Sequence, residues 1–127
     1  MAYTAIDDSE AYFQAATYGG NSSTQSITLG GDTDLQPDFV WIKARSDAGN
    51  HAVYDSVRGA TKRITSEGTN AESTVSDGLT AFDSNGFSLG AGGNENSATT
   101  IVAWCWKESA TAGFDIVSFL HLEMVMR

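Results

Sequence analysis

The stretch Ile101-Val102-Ala103-Trp104-Cys105-Trp106-Lys107 decides the fold. It holds two of the three tryptophans, is too short for an ordinary helix and is apolar on both pleat faces. Such a run predicts a central β-strand covered on two sides. Strand alternation puts Val102, Trp104 and Trp106 on one side and Ile101, Ala103 and Cys105 on the other. The bulky side is expected to pack inward against Trp41, so Trp41, Trp104 and Trp106 are the predicted core.

Working outward, Asp38-Phe39-Val40-Trp41-Ile42-Lys43-Ala44-Arg45 reads as the second strongly apolar strand, with Phe39 and Trp41 on one face and Val40, Ile42 and Ala44 on the other. Further strands are expected over 12–18, 24–29, 52–57, 79–83, 86–90 and 114–119, where β-branched and aromatic residues cluster between turn residues. Asn85-Gly86 between two alternating runs is the strongest hairpin signal and predicts a type I′ turn. Segment 65–77 has one large apolar side chain in thirteen residues and is expected to be loop or edge. With 13 glycines, a single proline and no long helical period, the chain reads as an all-β protein: an antiparallel β-sandwich. Residues 1–119 form one domain in this reading, long enough to carry its own core, and 120–127 form a divergent tail.

The totals also exclude. A lone cysteine permits no internal disulfide, and Cys105 with His51 and His121 does not make the paired spacings of a zinc site. Gly30-Gly31-Asp32-Thr33-Asp34 has two nearby acids, but Pro37 and Lys43 fall at the sixth and twelfth positions counted from Asp32, which rules out an EF-hand. No apolar run approaches a membrane span and the first residues lack a secretory pattern, so a soluble chain without membrane insertion is expected. A net charge of -9 disfavours nucleic acid as partner.

The bases are concentrated: Lys43, Arg45, Arg58, Lys62 and Arg63 place five of the seven within 21 residues. They form either a solvated face with local acid partners or a patch that docks on the acidic surface of another copy. No nucleophile elbow, phosphate loop, zinc-protease or dinucleotide fingerprint occurs, so no catalytic residue, metal or cofactor is predicted and the protein is expected not to be an enzyme. Aromatics of a sandwich can stack on sugars, which makes Tyr54, Trp41, Trp104 and Trp106 lectin candidates, but core packing is the favoured role for the tryptophans.

One internal echo stands out. Phe13-Gln-Ala-Ala-Thr17-Tyr18 and Phe114-Asp-Ile-Val-Ser118-Phe119 both read aromatic, three residues, hydroxyl, aromatic, 101 positions apart. Residues 120–127, with two of the three methionines, resemble nothing earlier and are either a truncated start of a second unit or an edge strand or docking tail.

The ordered motifs at 2–14, Gln36-Pro37-Asp38-Phe39-Val40-Trp41-Ile42-Lys43, Tyr54-Asp55-Ser56-Val57-Arg58-Gly59, Phe82-Asp83-Ser84-Asn85-Gly86-Phe87 and Val102-Ala103-Trp104-Cys105-Trp106-Lys107 together resemble a module of tailed-bacteriophage virion proteins. The resemblance covers residues 2 to about 118. It implies a laminin-G or concanavalin A-like jelly roll, repeated in longer relatives, and location in the virion after assembly in the host cytoplasm. No catalytic residues come with it. Two roles are expected. The first is a structural part, such as a capsid decoration or tail-fibre component, forming a homo-oligomer (a trimer is favoured) with itself and other virion proteins through Lys43, Arg45, Arg58, Lys62 and Arg63. The second is a receptor-binding module whose loops at 19–23, 46–51, 65–77 and 91–98 grip host-surface glycan, with His51, Tyr54, Asn94 and Asn96 as contacts.

Overall fold

The computed structural model describes residues 5–120. A 3-10 turn at Ser9–Ala11 opens this part of the chain, capped by Asp8, whose carboxylate accepts the Glu10 amide proton at 3.1 Å. Then come β1 (Phe13–Tyr18), β2 (Gln25–Thr28), β3 (Phe39–Ala44), β4 (Ala52–Asp55), β5 (Lys62–Arg63), β6 (Ser73–Thr74), β7 (Leu79–Asp83), β8 (Gly86–Leu89) and β9 (Ile101–Trp106). They make a four-stranded sheet in the order β1-β9-β3-β4, a three-stranded sheet β2-β8-β7 and a short ribbon β5-β6. Every pairing is antiparallel, and the fold is an all-β sandwich.

β9 is central, as its composition predicts: it pairs with β1 on one side and β3 on the other. Its side chains Ile101, Ala103 and Cys105 are fully buried and share one apolar cluster with Val40, Ile42 and Ala44 of β3, Tyr54 of β4, and Leu79, Phe87 and Leu89 of the second sheet. The assignment of Trp41, Trp104 and Trp106 to the core is corrected by this arrangement. All three are half-exposed and point away from the second sheet. Two packed sheets lie about 10 Å apart, so a bulky row on one must meet a modest row on the other. Here Phe87, Leu79 and Leu89 of the second sheet supply the bulk, joined by Tyr54 from β4, and β9 presents its small side.

Two further expectations are revised. The hairpin between β7 and β8 forms, but its central residues are Ser84 and Asn85, neither of which has positive φ, so the turn is not type I′. Asn85 is instead a strut: its Oδ1 accepts from the Leu35 amide at 3.1 Å, its Nδ2 donates to the Leu29 carbonyl at 3.2 Å, and its own carbonyl accepts from the Leu29 amide at 3.1 Å. Gly86, with φ +134°, carries the unusual backbone as the first residue of β8. Segment 114–119 is not a strand. It makes one antiparallel bridge, Ser109 with Phe114, and after the Ile116 amide, held by the Glu108 carboxylate at 2.9 Å, runs without strand pairing to Leu120, because strand propensity forms a ladder only where a neighbouring edge is available. Of the tail at 120–127, residues 121–127 lie outside the described residues.

Cys105 is buried in the middle of β9, and burial pushes its thiol up to about 12. An aromatic disulfide reagent at pH 8 should therefore label it only at the rate of global opening, accelerating in urea in step with the loss of near-ultraviolet circular dichroism. Rapid labelling of the native protein would mean that β9 opens locally.

Candidate functional site

Sheet register builds the outer face of the four-stranded sheet row by row. Phe13, Trp106, Phe39 and Asp55 align across β1, β9, β3 and β4; Ala15, Trp104, Trp41 and Val53 align in the next row; Thr17, Val102 and Lys43 follow. An antiparallel sheet commonly shows polar residues on the face it turns to water. This one shows aromatics in its centre.

The rings form one continuous patch. Trp106 touches Phe13 at 4.9 Å between centroids and Phe39 at 5.3 Å, and Trp41 meets Trp104 edge to face at 6.1 Å and 73°. Cross-strand aromatic pairs of this kind stabilise a sheet by ~0.5–1 kcal/mol each. One end of the patch is roofed: Phe114, on the segment beyond β9, stacks on Trp106 at 6.0 Å and 8° and meets Phe39 at 5.8 Å. The other end is open. There Trp41, Trp104, Trp106 and His51 line a shallow depression of about 310 Å³.

His51 joins this depression to a second one. Its Nδ1 accepts the Trp41 indole proton at 2.9 Å, which assigns the imidazole proton of the neutral ring to Nε2 and leaves that N–H as a donor. Its backbone amide is held by both Glu67 carboxylate oxygens at 3.0 and 3.2 Å. On its far side is a polar cleft of about 50 Å³ bordered by Asn50, His51, Arg63, Thr65, Asn94 and Glu95. An apolar platform and a small set of convergent polar groups thus meet at one histidine, the general composition of a small-ligand site.

Behind the cleft sits a buried polar cluster. Glu95 has no exposed surface; its Oε1 accepts from the Tyr54 hydroxyl at 2.6 Å and from Arg63 Nη1 at 3.2 Å, and its carbonyl accepts from the Tyr18 hydroxyl at 2.8 Å. Its Oε2 is buried without a hydrogen-bond partner among the described residues. Burial first, and the Glu95 charge second, hold both the Tyr18 and Tyr54 phenols far above the ordinary tyrosine range, so these rings stay protonated donors. Asn96, also fully buried, donates to the carbonyls of Ser23 at 2.5 Å and Gly90 at 2.8 Å and accepts from the Asn21 amide at 3.1 Å. The loop at 91–98 is therefore pinned inward by its polar residues.

Of the predicted glycan contacts, His51 and Asn94 come together at the polar cleft. Tyr54 and Asn96 are corrected: both are fully buried structural hydrogen-bonding groups and cannot meet a ligand. The basic segment does not form a free patch either. Arg58 pairs with Asp55 at 2.6 Å and Glu72 at 3.2 Å, Arg63 pairs with Glu95, Lys62 donates to the Thr74 hydroxyl at 2.7 Å, and Lys43 donates to the carbonyls of Ala44 and Asp47; Arg45 is exposed. Acid partners within the domain are found for two of the five, Arg58 and Arg63, while Lys62 and Lys43 are held by a hydroxyl and by carbonyls. The sequence signal for the platform was the shared alternation of Trp104 and Trp106 with Phe39 and Trp41; what it lacked was which face looks outward.

Among the described residues no group of three or more His, Cys, Asp or Glu side chains is placed to hold a metal ion, and no helix is long and apolar enough to cross a membrane. No curated protein and no solved structure matches the chain. A family model does match, over residues 8–120, and by that match the chain belongs to the family described as Domain of unknown function (DUF7483).

Proposed function

We propose that this domain is a non-enzymatic adhesive module that holds a saccharide ring on the outer face of its four-stranded sheet. The observation that carries the reading is the junction at His51: an open indole surface from Trp41 and Trp104 on one side, and a cleft with Asn94 and Arg63 on the other. A pyranose has an apolar C–H face suited to an indole plane and hydroxyls suited to the His51 Nε2–H, the Asn94 amide and the Arg63 guanidinium. The motif resemblance supports a setting on an exposed part of a phage particle, with a laminin-G-like jelly roll as the parent architecture and a host-surface glycan as the ligand.

The reading displaces docking through the basic segment, because Arg58 and Arg63 already have acid partners within the domain. A structural role in particle assembly remains the second reading, favoured by exposed apolar residues after β9.

The test is binding of neutral hexose polymers and bacterial surface polysaccharide, read by tryptophan fluorescence and calorimetry. Trp41→Ala and Trp104→Ala should each weaken the best-bound polymer at least about tenfold, equivalent to about 1.4 kcal/mol, with unchanged near-ultraviolet circular dichroism away from the lost indole. Affinity kept within about twofold in both variants, or no binding by any polymer, would remove the proposal.

A further inference from the structure

The segment after β9 repeats the pattern of β1, and the structure shows where the repeat differs. In β1, Phe13 lies on Trp106 of the outer face while Ala16 and Tyr18 turn inward against the core. In the echo, Phe114 also lies on Trp106. Val117 and Phe119 then occupy the positions of Ala16 and Tyr18, yet they are 71 % and 88 % exposed. The segment thus carries two core-facing side chains with no core beneath them. The backbone amides of Val117, Ser118, Phe119 and Leu120 likewise have no hydrogen-bond partner among the described residues.

The complementary feature is β1 itself. It is the terminal strand of its sheet among the described residues, whereas the opposite strand, β4, is covered by the Val53–Ile64 bridge. The Tyr12 carbonyl accepts from the Lys107 amide, so by antiparallel alternation residues 12, 14, 16 and 18 bond toward β9 and Phe13, Ala15 and Thr17 direct their amides to the free edge. Native edge strands are usually guarded by charge, proline or a bulge. Phe-Gln-Ala-Ala-Thr-Tyr has no charge and no proline, and its register to β9 is unbroken.

We propose that residues 115–120 of one copy add as a strand to the β1 edge of a second copy, placing Val117 and Phe119 over the rim of that copy's core. The occupant is this chain because donor and acceptor share one alternation pattern, and because they lie on opposite sides of the same sheet. Ile116, Val117 and Phe119 border a groove with Phe39, Val53 and Ile64 at the β4–β5 side, across the sheet from β1. A donor on one side and an acceptor on the other make a head-to-tail contact, which closes into a ring or propagates, and does not stop at an isologous dimer. The contact leaves the indole platform at Trp41 and Trp104 free, so it is independent of saccharide binding.

The experiment uses the full chain in sedimentation velocity over a dilution series. Wild type should show a weight-average mass at least twice that of the 13.4 kDa chain, falling on dilution. A donor variant, Val117→Lys with Phe119→Lys, should be monomeric. An acceptor variant, Ala15→Pro, removes an amide aimed at the free edge, where proline is tolerated, and should also be monomeric. Mixed, the two retain one working donor and one working edge between them and should form a one-to-one dimer and nothing larger. Hydrogen exchange provides a reading that needs no edge variant: the Phe13, Ala15 and Thr17 amides should exchange about tenfold more slowly in wild type than in the donor variant. A monomeric wild type, a mixture that stays monomeric with both partners folded, or unchanged exchange at these three amides would overturn the proposal.

Discussion

Replacing Glu95 by alanine should cost about 3–5 kcal/mol of stability and lower the melting temperature by roughly 10–20 °C. The size follows from what the carboxylate holds. Tyr54 is fully buried and Glu95 accepts its hydroxyl proton at 2.6 Å, so the alanine variant leaves a phenol in the core with its principal acceptor gone. Arg63 loses its acid partner as well, but its side chain is 29 % exposed and can turn to water, so its share of the loss is the smaller one. Glu95→Gln separates these contributions. The amide oxygen can still accept from Tyr54 while the buried charge is removed, and the expected loss falls to about 1–2 kcal/mol. Urea unfolding of both variants measures the difference. Equal losses would assign the effect to the charge and not to the Tyr54 hydrogen bond; a loss below about 1 kcal/mol for alanine would mean that the cluster does not tie the 91–98 loop to the four-stranded sheet.

The Glu95 cluster also marks where reading the sequence stops. Alternation is a property of a single strand, and it was legible: the strands at 39–44, 79–83, 86–89 and 101–106 fall where β-branched and aromatic residues alternate between turn residues. Alternation sorts Trp104 from Cys105, but which set faces the second sheet depends on how much volume that sheet supplies. Phe87, Leu79 and Leu89 of that sheet, with Tyr54 of β4, fill the interior, so the tryptophans turn outward and become the candidate site. Size alone pointed the other way.

Polar loops mislead for a related reason. Ala91-Gly92-Gly93-Asn94-Glu95-Asn96 has the composition of an exposed ligand loop, yet Glu95 and Asn96 are fully buried, reached by hydrogen-bond partners 41 and 73 positions away. The Arg58–Asp55 pair is local enough to read at three residues' separation, while Arg63–Glu95 spans 32 and is visible only in the fold. Segment 114–119 has a strand's residues and no strand, since its pattern states what it could pair with and not whether a neighbour is there.

A methyl group at Gly86 should be severely damaging, about 4 kcal/mol, because two independent costs coincide there. The first is conformational: φ is +134°, a region that L side chains rarely adopt. The second is steric: an added Cβ would fall well inside van der Waals contact distance of the Ile27 carbonyl oxygen, on the strand that pairs with β8 through Thr28–Gly86. Relief would require β2 to move off β8 and would disturb the buried row of Ile27, Phe87 and Leu89. Three other glycines separate the two costs. Gly59 has φ +103° with nothing within 4 Å of an added Cβ, so alanine there should cost only the conformational part, about 1–2 kcal/mol. Gly20 lacks positive φ, but its Cβ would press on the Asn96 backbone, isolating the steric part at about 1–3 kcal/mol. Gly30 has neither constraint, and alanine there should be neutral or add up to about 1 kcal/mol by restricting the unfolded chain. If the four losses measured by urea unfolding do not rank Gly86 first and Gly30 last, the tight approach of β8 to β2 is not the feature that fixes the register of the second sheet.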